Sequence, residues 1–394
     1  PARQHRGGLE RITKELARGA SQRRIHEDSG DSHHSERLLP GGLVNTVQQK
    51  ARSPARSEVV QREDTASSPL DLLTLPFDQY QRYRVVVEVA DSIRVHLGRF
   101  QLRILDVGGF HLTREGRPLL PVTHFLPSDF TVTTDLADGI PPNYVRASGV
   151  TLPFQSEAFD LVVTCDALEH VPPADRAAFV AELLRVASHC VLLIAPFYSE
   201  PARHAERIVR QHLIARSCAH RQLEEHFEHG LPSAEDLRAL LAESGLAAIE
   251  FADGYLPRWL AMITMQLAEG TSLAFLAHLN RFYNRHFSPD DRREPAYRRV
   301  FVIAKADREE ILPAVSRVAE PPPADGFPRP EFDTDLACVL QQARRDGQAR
   351  LASLEAENER LRRVIEGYEQ GRFIRLMRWL HGLRERLTGR SYGR

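Results

Sequence analysis

The chain is poor in lysine, which occurs only at positions 14, 50 and 305 although Lys and Arg together number 52. No G-x-x-x-x-G-K-[ST] loop can be assembled from these, which argues against phosphate-loop nucleotide chemistry. Cysteine is scarce too. Cys165, Cys190, Cys218 and Cys338 stand far apart with no C-x-x-C spacing, so neither a disulfide framework nor a zinc knuckle is expected. Apolar runs are short: none approaches the roughly 20 residues of a membrane span, and no signal-peptide apolar core precedes the first periodic segment. A cytoplasmic protein is the resulting expectation. Net charge is also nearly absent, at −1, so no nucleic-acid partner is expected.

What is present divides by texture. Residues 1–70 are rich in Arg, Ser, Gln, Gly and His without apolar periodicity and read as a disordered extension. Within them "HEDSGDSHH" (26–34) offers weak metal ligands, but a solvated polar tract is the plainer reading, and no metal is expected. From Asp71 to about 308 strands and helices alternate. "FDQYQRYRVVVEVADSIRVHLG" carries apolar residues at helical spacing and stops at Gly98. "LRILDVG", "DFTVTTDL", "NYVRAS", "AFDLVVTCD", "CVLLIAPF", "AAIEF" and "YRRVFVIAKA" read as strands. "DRAAFVAELLRVAS" and "SAEDLRALLAESG" read as helices, the second capped by Ser233 and stopped by Gly245. Alternation of this kind implies a Rossmann-like α/β fold, a mostly parallel sheet with helices on both faces and ligands at the carboxyl ends of its strands.

Residues 309–333, with "PPPADGFPRP", read as a stiff linker. In 334–370 a heptad starting at Leu351 puts Leu354 and Leu361 at d, Asn358 at a, Glu357 at g and Arg362 at e. This is the pattern of a short parallel coiled coil joining a homodimer, or of an amphipathic helix lying on its own domain. In 371–394 Phe373, Leu376, Met377, Leu380, Leu383 and Leu387 form one face among many arginines, with Trp379 near the boundary. Such a basic amphipathic tail suits peripheral contact with the inner face of an anionic membrane, or a neighbouring subunit.

The chemistry concentrates in the centre. In "RILDVGGFHLTREG", Gly108 and Gly109 after a strand let backbone approach a ligand, and a following helix would add free N–H groups. Asp106 can accept from an ammonium or hold the loop. Asp135, ending the second strand, is placed to take ribose hydroxyls. Because no G-x-G-x-x-G follows the first strand, an NAD-dependent oxidoreductase is disfavoured. Glu169 and His170 follow the fourth strand, where a reacting group would lie. They are candidate acid–base residues, His170 the better base, against the alternative that they only cap the next helix. His226 and His229 in "EEHFEHGLP" share a helical face near Glu225 and are expected to shape a pocket rather than bind metal, which needs a third converging ligand. The apolar block 255–287 is longer than the sheet needs. It reads as extra core helices or a dimer face, or as a lid.

From about residue 75 to 306 the chain resembles class I S-adenosylmethionine-dependent methyltransferases of the type 11 kind. Leu152–Pro153–Phe154, then Phe159–Asp160, then Leu168–Glu169–His170–Val171 carry the likeness, together with "AELLRVA", "VLLIAPF" and the "YQRY" of the lead helix. The resemblance implies S-adenosyl-L-methionine as cofactor. Asp106, Gly108 and Gly109 would then line its methionine part, Asp135 its ribose, and Ser148 and Gly149 its adenine. Cys165 and Asp166 would face the reaction centre, with Tyr80 and Tyr83 closing over it. The chain departs from the family in two respects: Phe110 and Leu112 replace later glycines of the loop, and Ser148 replaces an acidic residue. The expected activity is methyl transfer to a hydroxyl of a sugar, a lipid-linked glycan or a small molecule, with polysaccharide biosynthesis as the setting suggested by analogy. The alternative is a non-catalytic scaffold of the same fold acting through its C-terminal helix.

Overall fold

The computed structural model describes residues 70–388, apart from 114–115, 139–140, 217, 219, 269–270, 321–327 and 370. The N-terminal extension and its histidine tract therefore lie outside the described residues. The chain opens with helix α1 (Phe77–Leu97), which ends where Gly98 adopts φ +62° and returns its N–H to Arg94 and Val95 carbonyls. Five strands follow: β1 (Arg103–Val107), β2 (Phe130–Asp135), β3 (Tyr144–Arg146), β4 (Phe159–Cys165) and, after helix α2 (Arg176–Val186), β5 (Ala187–Pro196). Three helices come next, α3 (Glu200–Ile214), α4 (Arg221–His229) and α5 (Ala234–Glu243). After them come strand β6 (Ala248–Tyr255), helices α6 (Leu256–Gln266) and α7 (Leu273–His286), and strand β7 (Ala296–Ala304). Helices α8 (Leu312–Ala319), α9 (Phe332–Glu369) and α10 (Arg372–Thr388) complete the chain.

The seven strands form one sheet in the order β3-β2-β1-β4-β5-β7-β6. Pairings from β3 through β5 are parallel, and β7 runs antiparallel to both neighbours. Period-two alternation decides which layer covers which face. Ile104, Leu161, Val163, Cys190, Leu192, Val300 and Val302 point to the face covered by α1 and α8; Leu105, Val162, Val191, Leu193 and Phe301 point to the face covered by α2 and α5. Val85, Val86, Val89 and Ile93 of α1 are fully buried, each contributing roughly 1.5–3 kcal/mol relative to exposure. The expected Rossmann-like sheet with helices on both faces is thus the one found.

Three details differ from the sequence reading. No helix follows the glycine loop: His111–Leu112 and Pro118–Leu119 pair as a small hairpin, and one short turn of helix spans Pro121–Phe125. Gly116 at φ +74° makes the hairpin turn, and Pro118 removes a backbone donor that a helix through the segment would need, while Pro121 sits at the first position of the short helical turn, where no donor is needed. The linker does not begin at 309. Helix α8 buries Val315 and Val318 against α1, with Ile311 of the preceding turn beside them, so the domain extends to about 319. Finally, α9 is docked along its first half. Val339 enters the core of α6 and α7, Ser272 donates to Asp346, and His286 meets Asp335 at 3.0 Å. Leu351, Leu354, Leu361, Ile365 and Tyr368 in its second half are all exposed. Among the described residues no helix is long and apolar enough to cross a membrane.

Candidate active site

The carboxyl ends of β1, β2 and β4 converge on one edge of the sheet, as parallel pairing requires. Gly108, at φ +81°, turns the chain out of β1, and its N–H donates to the Thr134 carbonyl. Gly109 lies across the Asp106 carboxylate so closely that a Cβ at 109 would overlap it. Asp106 is fully buried, its Oδ2 accepting from the Tyr83 hydroxyl at 2.6 Å. Burial pushes its carboxyl up to about 7, against the opposing pull of the Tyr83 hydroxyl and the Arg82 guanidinium. Its side chain makes no hydrogen bond to the loop: Oδ2 is tied to α1 through Tyr83, and Oδ1 has no partner. Asp135 is half-buried and accepts long bonds from the Phe110 N–H at 3.3 Å and the Ala137 N–H at 3.2 Å. Phe110 turns aside onto Tyr144, with ring centroids 5.2 Å apart. Ser148 bridges to Thr151, and Gly149 is wedged against Phe179, where no side chain fits.

Tyr83 and Cys165 are corrected. Tyr83 does not close over the site, because it sits on the same α1 stripe as Val86 and Ala90 and is sealed in the core. Cys165 shares its parity with Leu161 and Val163, so its thiol is buried in that core, and burial with the nearby Asp106 carboxylate pushes it well up. Tyr80 instead packs on Phe125.

A cavity of about 490 Å³ opens beside the end of β4. Its polar end holds Asp166, Glu169, His170 and His226 with Arg82 and Arg298; Trp259, Ile263, Leu267, Leu273 and Leu276 make an apolar wall. The sequence-derived pair Glu169 and His170 is therefore on the wall, and so is Asp166, while Asp106, Asp135, Ser148 and Gly149 lie along the adjoining sheet edge. The block 255–287 forms helices with a core of their own, one side of which is this apolar wall. Tyr297 stacks on Trp259 at 3.7 Å behind it.

Asp166 sits at φ +49°, uncommon for a non-glycine, and is clamped between two guanidiniums. Arg298 donates to both its carboxylate oxygens (2.7 and 2.6 Å), and Arg82 pairs with it from α1. Burial alone would raise the Asp166 carboxyl, but Arg298 and then Arg82 outweigh it and hold it well below the usual range. Neither arginine was singled out from sequence. Arg298 was legible, since it shares strand parity with Val300 and Val302 and so must point into the core; Arg82 likewise lies one turn before Val86 on the buried stripe of α1.

Glu169 is buried with Oε2 unpartnered, and burial followed by the Asp166 charge pushes its carboxyl well up. His170 places Nδ1 2.9 Å from Glu225 Oε2 and Nε2 3.9 Å from Glu169 Oε1. Burial, then the His226 charge, lowers its pKa, leaving a neutral imidazole at pH 7. His226 turns inward to Glu206 rather than pairing with His229.

Residues 130–194, from the start of β2 into β5, match a family model described as a methyltransferase domain. No curated protein matches the chain. Among solved structures, a putative methyltransferase from Bacillus halodurans C-125 is 19% identical over 55% of this chain and 97% of its own, with a TM-score of 0.30. Magnesium protoporphyrin IX methyltransferase from Synechocystis PCC 6803, solved with bound SAH, is 14% identical over 58% of this chain and 85% of its own, with a TM-score of 0.33. The likeness to methyltransferases rests on this stretch of 65 residues, about a sixth of the chain, and the cofactor that the sequence resemblance implies is S-adenosylmethionine.

The donor set fits that cofactor. Asp135 keeps lone pairs free beside its two long bonds, as ribose hydroxyls require. Asp106 Oδ1 and Thr133 Oγ1, on paired residues of β1 and β2 beneath the loop, are buried without a partner, and a buried acceptor of this kind costs about 1–3 kcal/mol until something donates to it.

Proposed function

We propose that this protein transfers a methyl group from S-adenosylmethionine to a hydroxyl held in the cavity beside β4. The observation that carries the reading is that Glu169 and His170 stand on the wall of that cavity, next to the sheet edge bearing Asp135. Bound S-adenosylmethionine supplies an electrophilic methyl on a sulfonium. Asp135 would bind the ribose, and the Gly108–Phe110 backbone would border the amino-acid part. The cavity wall orients the acceptor for in-line attack, worth most when the reacting atoms are held about 3–3.5 Å apart. His170, with Glu225 2.9 Å from its Nδ1, would take the hydroxyl proton in the metal-free protein as the O–CH3 bond forms and the S–CH3 bond breaks.

The lining supports an acceptor with two characters. Charged and imidazole groups surround its reacting end, and the aliphatic and indole surface of α6 and α7 faces the remainder. A small molecule, or the sugar end of a lipid-linked glycan, has this division. The exposed Leu351–Tyr368 stripe supports homodimerisation through parallel α9 helices, and the exposed Leu376, Met377 and Trp379 support contact of α10 with an anionic lipid surface.

A second reading, a scaffold of methyltransferase fold, draws on the sealed Asp106 and the absence of a helix after the loop. Calorimetric titration of the full chain with S-adenosylhomocysteine separates the two. The enzyme reading expects saturable binding that Asp135→Ala removes while the thermal unfolding midpoint stays within a few degrees. No heat with either protein would overturn it.

A further inference from the structure

The polar end of the cavity contains more than an acid–base pair. Glu169, His170 and His226 come from two different elements, the turn after β4 and the inserted helix α4, yet one ligand atom from each lies within 4.8 Å of the others. The His226 imidazole is held from behind by Glu206, 2.7 Å from its Nδ1, and Glu225 Oε2 lies 2.9 Å from His170 Nδ1 as an ion-pair contact out of hydrogen-bond alignment. Glu206 is itself fixed by the Tyr297 hydroxyl at 3.0 Å and by Arg203. A carboxylate on the far nitrogen is the support that metal-ligating histidines use, since it sets the tautomer and aims the other nitrogen.

The atoms aimed inward are left over. His226 Nε2 and Glu169 Oε2 are buried without a partner, in residues only 7% and 1% exposed. Beside them stands a second imidazole, that of His170, and a dication held among the three would give all of them a partner.

We propose that Glu169, His170 and His226 bind one first-row divalent cation of the zinc type, with a coordination position open to the cavity. Two imidazoles and one carboxylate with an open site is a donor set for such ions, with ligand distances of about 2.0–2.2 Å. Ligands around one tetrahedral ion stand roughly 3.4 Å apart on that geometry, so side-chain rotations of about an ångström close the site from its present spacing. The open position faces the space assigned to the acceptor, and an oxygen bound there is activated by coordination, with His170 serving as ligand. The site stands independently of methyl transfer, because none of its residues belongs to the cofactor edge.

The test uses the full chain, stripped with chelator and dialysed against zinc, with metal content read by elemental analysis and affinity by competition with a chromogenic chelator. One ion per chain is expected in the wild type beyond what His226→Gln or Glu169→Gln retains. Glu206→Gln should weaken binding about 10–100-fold without removing it. The variants also subtract whatever the His-containing tract at 26–34 binds. X-ray absorption at the zinc edge of the wild type, which needs no variant, should show imidazole and oxygen ligands only. Equal zinc content in wild type and variants, or sulfur in the first coordination shell, would overturn the proposal. Loss of zinc binding would leave S-adenosylhomocysteine affinity untouched, and the converse holds, so the two readings fail separately.

Discussion

Replacing Gly109 by alanine tests the loop more sharply than any change of charge. Its φ is not in the left-handed region, unlike that of Gly108, so the backbone itself tolerates alanine. The cost is steric: the new methyl would overlap the Asp106 carboxylate. Asp106 cannot swing clear, because it is fully enclosed and its Oδ2 holds the Tyr83 hydroxyl. Overpacking costs about 1–3 kcal/mol, and leaving a buried hydroxyl unpaired about 1–3 more. A total of roughly 2–6 kcal/mol lowers the unfolding midpoint of a domain this size by roughly 4–24 °C. Circular dichroism melts read this directly, and S-adenosylhomocysteine affinity should fall with it. The cycle is completed in an Asp106→Ala background, where the space is vacant. There Gly109→Ala should cost less than about 1 kcal/mol, a coupling that double-mutant cycles resolve. Equal costs in the two backgrounds would refute the placement of Asp106 beneath the loop.

Other consequences can be checked alongside. Asp160 is raised by burial but held down to about 2 by Arg103 and Arg99. Since its folded pKa is depressed, the stabilisation is present above about pH 4 and lost as pH falls through about 2. Asp160→Asn should flatten that acid limb by about 1 kcal/mol, screening by the half-exposed arginines included; an unchanged limb in acid titration would refute it. Arg298→Met leaves Asp166 clamped only by Arg82 and should destabilise by about 3 kcal/mol, whereas adding Asp166→Asn should recover part of the loss; equal melts of single and double variants would contradict the clamp. Sedimentation of full-length protein should show a dimer that Leu354→Glu with Leu361→Glu converts to monomer, and identical profiles would remove the zipper assignment.

The strands were legible because a buried parallel sheet writes itself as short apolar runs punctuated by turn residues. The sheet-edge residues followed, since strand ends place Asp106, Asp135 and Asp166 together whatever the loops do. The hairpin at 111–119 was missed although Gly116, Pro118 and Pro121 spell it locally. The docking of α9 was not legible at all: Val339, Asp335 and Asp346 are spaced as on any surface helix, and only the facing side chains of α7 reveal their partners. His226 was seen, but beside the wrong neighbour. Sequence proximity suggested His229, whereas the chain brings His170 across from a turn some fifty residues earlier.

Helix α7 serves two tenants. One side supplies Leu273, Leu276 and Asn280 to the cavity wall, and its ends are gripped by α9 through Ser272–Asp346 and His286–Asp335. The exposed half of α9 continues the same helix as the half that does the gripping. Whatever takes hold of residues 351–368 therefore handles a lever whose fulcrum is the wall of the cavity beside β4.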